Sequence, residues 1–111
     1  MGKVIKIGIS ANKSNKKVGI ISGDDILCKI NDITSKGVDF RHLETNEDFS
    51  LIKNRIVSAN VYIDSFTISE ALEKGAQIVL AGRVSDPGLA LGPCIYEYGW
   101  TQDGYNHLAA G

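Results

Sequence analysis

The sequence predicts an α/β fold, a small three-layer arrangement in which a mostly parallel sheet carries helices on its faces. Three observations lead there. Short β-branched runs alternate with segments of helical period, the order that parallel strands joined by crossover helices require. Ile78-Val79-Leu80-Ala81 is a four-residue apolar run closed by Gly82, the pattern of a central strand buried on both sides. Asp86-Pro87 then opens a helix, since aspartate caps a first turn and proline suits the first helical position, where its missing N–H costs nothing.

In chain order, Val4–Ile9 alternates Ile5, Ile7 and Ile9 against Lys6 and Gly8, the period of a half-buried strand. Residues 10–17 are rich in lysine, asparagine and serine and read as a turn or linker. Residues 18–21 form a second strand ended by Ser22-Gly23. After Asp24-Asp25, the apolar residues Ile26, Leu27, Ile30 and Ile33 recur on one helix face, and Gly37 supplies the stop. Residues 38–43 alternate as a further strand. Residues 44–54 are polar and acidic, anchored by Phe49, Leu51 and Ile52, and suit a short helix or loop. Residues 56–63 read as an extended or irregular connection.

Residues 66–75 predict a helix, with Thr67 and Glu70 at capping-box spacing, Ile68, Ala71 and Leu72 facing a core, and Gly75 as terminator. Residues 77–81 are the apolar strand, where Gly82 is expected to let the backbone turn. Residues 86–98 form the next helix, which Pro93 should kink or split. Gly99 stops it, and a last element begins near Thr101 or Asp103.

At 111 residues the chain holds one small domain, with 43% hydrophobic and 23% charged residues, an ordinary globular composition. The net charge of −1 supplies no global field for nucleic acid or an anionic membrane. Lys3, Lys6, Lys13, Lys16 and Lys17 form a basic leader over residues 1–17, so every acidic side chain falls in residues 18–111. No run approaches the ~20 apolar residues that span a bilayer, and no signal-peptide pattern is read, so the expected compartment is the cytoplasm. Cys28 and Cys94 both fall in predicted helices and read as unpaired, core-packed thiols.

The candidate chemistry lies at strand ends, where open α/β sheets bind ligands. Asp24 and Asp25 follow a strand and open a helix: one suits capping, and the other suits a general base or a Mg²⁺ ligand. Arg83 follows the apolar strand beside a helix start. A guanidinium there fits a carboxylate or phosphate, or it pairs internally with Asp86. Gly82 and Ser85 flank it, and Asn60 and Tyr62 are candidate hydrogen-bonding groups for a substrate carbonyl, or structural groups in a loop. Tyr96, Tyr98 and Trp100 could line an apolar acyl pocket or pack a core. His42 and His107 lack zinc-ligand spacing, Ser85 lacks a visible histidine base, and no phosphate-cradling glycine loop occurs. No metal site is assigned.

Two blocks carry a resemblance. Residues 18–27 (Val-Gly-Ile-Ile-Ser-Gly-Asp-Asp-Ile-Leu) are the first. The second lies within residues 59–111: Ala59-Asn60-Val61-Tyr62, the run from Gly75 to Asp86, Leu91-Gly92-Pro93, Tyr96-Glu97-Tyr98-Gly99-Trp100 and Leu108-Ala109-Ala110-Gly111. Together they resemble the acyclic terpene utilisation family over more than half the chain. Members of that family are several times longer and continue into Gly-His and Glu-Cys-Gly stretches, while an Asn-Ala-Gly-Gly segment precedes. Neither is found here, so residues 18–111 are expected to be a partial α/β domain of a longer protein.

The resemblance implies a role in breaking down branched acyclic terpenoids such as citronellol and geraniol through acyl-coenzyme A intermediates. The expected substrate is therefore an acyl-coenzyme A or a carboxylate, held by Arg83, with Asp24, Asp25 or Asp86 moving a proton. Coenzyme A and Mg²⁺ are the cofactor candidates. The expected partner is a second copy of the chain or a segment outside it, with neither nucleic acid nor membrane. The rival reading is a binding or assembly module of the α/β class without catalysis. A receiver-like Mg²⁺ domain ranks below both, because it needs a third acid and a lysine at neighbouring strand ends.

Overall fold

The computed structural model describes residues 4–9, as a strand, and residues 16–111. Lys3 and Lys13 of the basic leader lie outside the described residues. The chain divides into two compact units, one formed by the chain through Asp24 together with Tyr62–Gly111, the other by Asp25–Val61.

The first unit is α/β. Its strands are β1 (Val4–Ile9), β2 (Lys17–Ser22) and β3 (Ile78–Ala81), in the order β1-β2-β3. β1 runs antiparallel to β2, with Ile5 opposite Ile21, and β2 runs parallel to β3, with Ile20 opposite Leu80. The sheet is therefore mixed, and among the described residues β2 is its centre. This corrects the expectation of a central, doubly buried strand at residues 78–81: β3 lies at the edge of the described sheet. Its side chains alternate, with Val79 and Ala81 turned to the core while Ile78 and Leu80 stay 46% and 57% exposed. The same exposed face carries Ile20.

Helix α2 (Ser65–Glu73) covers the other face. Ile68 and Ala71 join Ile21 of β2 and Ala76 in the core, and Ile63, Leu72, Val79, Ala81 and Val84 pack around them. The helix begins one residue earlier than predicted and with a different cap. Asp64, in extended backbone, accepts hydrogen bonds from the Thr67 amide and the Thr67 hydroxyl, both at 2.8 Å. Thr67 is thus the fully buried partner of a cap, and the Thr67–Glu70 capping box does not form; Glu70 pairs with Lys74 at 2.7 Å instead. At the other end, the Gly75 amide donates to Leu72 O and the Ala76 amide to Ala71 O, the two bonds of a Schellman ending. Gly75 sits at φ +86°, where only glycine is unstrained.

Helix α3 (Gly88–Tyr98) packs on α2 through Gly88, Gly92 and Ile95, a buried stripe at helical spacing. It starts after Pro87, which occupies the cap position itself, so Asp86 makes no capping bond. Pro93 does not split it. The carbonyl that loses its helical donor belongs to Leu89, a residue 66% exposed and open to water. Gly99 ends α3 in left-handed backbone, and α4 (Tyr105–Ala110) follows.

The second unit holds a 3-10 turn (Leu27–Lys29), helix α1 (Ile30–Ser35) and two further 3-10 turns (Phe49–Leu51 and Lys53–Arg55). Ile26 and Ile30 are its buried hydrophobic residues. The strand expected over residues 38–43 does not form. That stretch finds no neighbouring strand, and its backbone closes a local hairpin in which the Phe49 amide donates to Phe40 O and the His42 amide to Glu47 O. Cys28 is exposed rather than core-packed, because the first helical turn is 3-10 and carries no buried residue; both cysteines are free.

Candidate functional site

In the first unit, β2 and the edge strand β3 are parallel and deliver their carboxyl ends side by side. Gly23, at φ +118°, turns the chain out of β2 and presents Asp24 to the end of β3. The Asp24 carboxylate accepts a hydrogen bond from the Arg83 backbone amide at 2.9 Å. The Gly82 amide donates to Ile21 O at 3.0 Å, and the Arg83 carbonyl accepts from the Ile63 amide at 2.8 Å. The loop after β3 is thus held by β2 on one side and by the segment before α2 on the other, which adds a parallel bridge between Ile63 and Val84.

Gly82 has no positive φ, so the turn does not explain it. Space does: a Cβ at residue 82 would fall on the Asp24 carboxylate. The guanidinium of Arg83 is exposed and makes no ion pair among the described residues, so the internal pair with Asp86 is not formed. Ser85 is half-buried, and its carbonyl accepts from the Gly88 amide at 2.8 Å as α3 begins. Asp86 is exposed beside it. Asp24, Gly82, Arg83, Ser85 and Asp86 therefore share one end of the first unit, the carboxyl ends of β2 and β3. Tyr62 belongs to the same unit and is 67% exposed.

Asp25 and Asn60 belong to the second unit, where they face each other in an isolated antiparallel bridge. The Asp25 side chain accepts from the Leu27 amide at 2.9 Å, a local turn one residue before the cap position, Ile26, which makes no side-chain capping bond. Ile26 and Ala59 add a backbone bond at 2.9 Å.

The second unit also carries an open cleft of about 340 Å³ beside Phe40 and Phe49, with Lys53 on its wall. The two rings meet at 5.6 Å, tilted by 53°. None of the candidate site residues read from the sequence lines this cleft. Its rim is ordered by Asp48, which takes the Ser50 amide at 2.8 Å. The Ser50 hydroxyl and amide, with a smaller effect from Arg41, hold the Asp48 carboxyl below its ordinary value. A lowered folded-state value means that this contribution is complete above the usual carboxylate range and is lost as pH falls through the lowered value. The Ser50 amide resonance should therefore move on acidification with a midpoint below that of a free aspartate. Asp48→Asn should abolish the titration in the same NMR series, and an unchanged curve in that variant would assign it to another group.

Of the aromatic residues near the end of α3, Tyr98 stacks on Trp100 at 5.5 Å and Trp100 on His107 at 5.6 Å. Tyr96 and Tyr98 are 45% and 68% exposed, so they are not core residues. Among the described residues no group of three or more histidine, cysteine, aspartate or glutamate side chains is placed to hold a metal ion, and no helix is long and apolar enough to cross a membrane. Sequence reasoning missed Asp64 and Ile63. The aspartate three residues before Thr67 was the available signal for the first; nothing local marks the second.

Comparison with known proteins bears on the whole chain. The family described as acyclic terpene utilisation family protein AtuA matches residues 2–111. The chain belongs to the acyclic terpene utilisation family. No curated protein and no solved structure gives a match. Within this family context the strand-end group around Arg83 falls in the block of sequence that carries the resemblance, between Gly75 and Asp86.

Proposed function

We propose that this acyclic terpene utilisation protein binds the anionic end of a terpenoid intermediate, a carboxylate or an acyl-coenzyme A, at the carboxyl ends of β2 and β3. The observation that carries the reading is Arg83, exposed and without an ion pair among the described residues, while its own backbone is held at both the amide and the carbonyl. Such a group suits bidentate contact with a carboxylate or phosphate. Ser85 lies two residues on in the same loop, with its hydroxyl toward Gly88, and the exposed Asp86 carboxylate is the candidate group for proton transfer. Where coenzyme A or Mg²⁺ takes part, it enters as a ligand of this same end.

Thermal unfolding of the wild-type chain with coenzyme A, citronellyl-coenzyme A, citronellate and Mg²⁺, each added separately, tests the reading. One of the anionic ligands should raise the midpoint, by about 2.7 kcal/mol of added stability at a hundredfold excess over Kd. Arg83→Ala should weaken that ligand roughly 10- to 100-fold, the worth of a hydrogen bond to a charged group at about 1.5–3 kcal/mol. Intact affinity in Arg83→Ala would remove the role assigned to this residue.

A second reading is favoured by the open face of the sheet, where Ile20, Ile78 and Leu80 lie exposed together. In it the chain is an assembly module whose apolar face is covered by a second layer, completing the three-layer arrangement. Light scattering separates the two: a monomer that still responds to ligand supports the first, and a ligand-blind oligomer supports the second.

A further inference from the structure

We infer that Asp24 is a positioning residue, whose carboxylate fixes where Arg83 stands and so sets the affinity of the site for an anion. The inference rests on the reading of Arg83 as the anion holder.

Three observations support it. The Asp24 carboxylate accepts the Arg83 amide at 2.9 Å, across 59 residues of sequence. Gly82 keeps negative φ, yet a Cβ there would fall on that carboxylate, so the glycine serves to admit the Asp24 side chain rather than to turn the chain. Finally, the Arg83 carbonyl is taken by the Ile63 amide at 2.8 Å. The peptide groups on either side of the Arg83 Cα are therefore both tied down, one to the end of β2 and one to the segment before α2. What remains free is the side chain, and its origin and direction are set by those two bonds. A guanidinium whose base is fixed loses less freedom when it binds than one on a loose loop, and this preorganisation appears as affinity.

Toward the Arg83 amide, the requirement at residue 24 is then for an oxygen acceptor at the right distance. Asp24→Asn keeps the acceptor and removes the charge, whereas Asp24→Glu keeps the charge and displaces the acceptor by one methylene. Dissociation constants for coenzyme A and for citronellate, measured calorimetrically well below every variant's unfolding midpoint, distinguish the two requirements.

Wild-type affinity within about threefold is expected in Asp24→Asn, and about a tenfold or greater loss in Asp24→Glu. The double variant Asp24→Glu with Arg83→Ala should bind no more weakly than Arg83→Ala alone, since Asp24 acts through Arg83. A purely structural loss would add to that of Arg83→Ala. If Asp24→Asn loses as much affinity as Arg83→Ala, or if Asp24→Glu retains it while Arg83→Ala does not, the positioning role is overturned and the reading of Arg83 stands. Wild-type protein that binds neither ligand, or Arg83→Ala that binds as well as wild type, overturns both. Should Asp24→Glu fail to fold, the Asp24→Asn result alone decides between acceptor and charge.

Discussion

Gly92→Ala lowers the unfolding midpoint of the first unit by roughly 12–24 °C. At an exposed position in a helix the same change stabilises by about 1 kcal/mol, since alanine is the better helix former. Here the sign reverses. The new methyl would lie 2.6 Å from Ile68 Cβ, 2.7 Å from Ile68 Cγ2 and 2.9 Å from the Ser65 carbonyl oxygen. Carbon atoms settle at about 3.5–4.0 Å. None of these atoms is the far end of a flexible side chain, so the helices themselves must part, at an overpacking cost of about 3 kcal/mol. For a domain of this size each kcal/mol moves the midpoint by about 4–8 °C. Ile68→Val should not rescue the variant, because the offending Cβ and one methyl remain. Circular dichroism melts of the two variants and their combination test this, and a raised midpoint in Gly92→Ala would show that α2 and α3 do not meet so closely.

Asp64→Ala is the second large effect, with a loss of roughly 2–4 kcal/mol. The carboxylate answers two donors at once, the Thr67 amide and the Thr67 hydroxyl. Losing the cap alone costs about 1 kcal/mol. The hydroxyl is the greater concern, because Thr67 is wholly buried and a stranded buried donor costs about 1–3 kcal/mol more. Asp64→Asn should therefore recover most of the stability, since its amide oxygen still accepts. Thr67→Val combined with Asp64→Ala should be less damaging than the two separate losses added together, because the valine leaves no hydroxyl to strand. Denaturant unfolding of the four proteins measures this coupling, and strict additivity would mean that the buried hydroxyl has another acceptor.

What could be read in the sequence was whatever depends on neighbours along the chain. The helical spacing of Ile68, Ala71 and Leu72, the alternation in β1 and the glycine stops at 75 and 99 are local signals, and each element is found where those signals lie. Caps were less legible because two polar residues competed: Asp64 and Thr67 are three apart, and the aspartate holds the threonine rather than yielding to it. The edge position of β3 was hidden for a different reason. Four apolar residues in a row describe a strand with something on both faces, and only the pairing order shows that α2 covers one face among the described residues. Residues 38–43 had the alternation of a strand but no partner, and a two-residue period without a neighbour closes into a local turn. At the strand ends, Arg83 and Asp24 were each visible as polar residues after a strand. Their bond, and the reason for Gly82 between them, needed β2 and β3 to be placed side by side.

The exposed apolar side of β3 gives the charge beside it a duty in solubility. Ile78-Val79-Leu80-Ala81 is a short uncharged run of high β propensity at a sheet edge, the kind of segment that recruits other chains into aggregates. Arg83 stands two residues after it, a position from which a like charge on each approaching copy repels stacking. Arg83 then guards the strand, so neutralising it leaves the edge less protected against self-association.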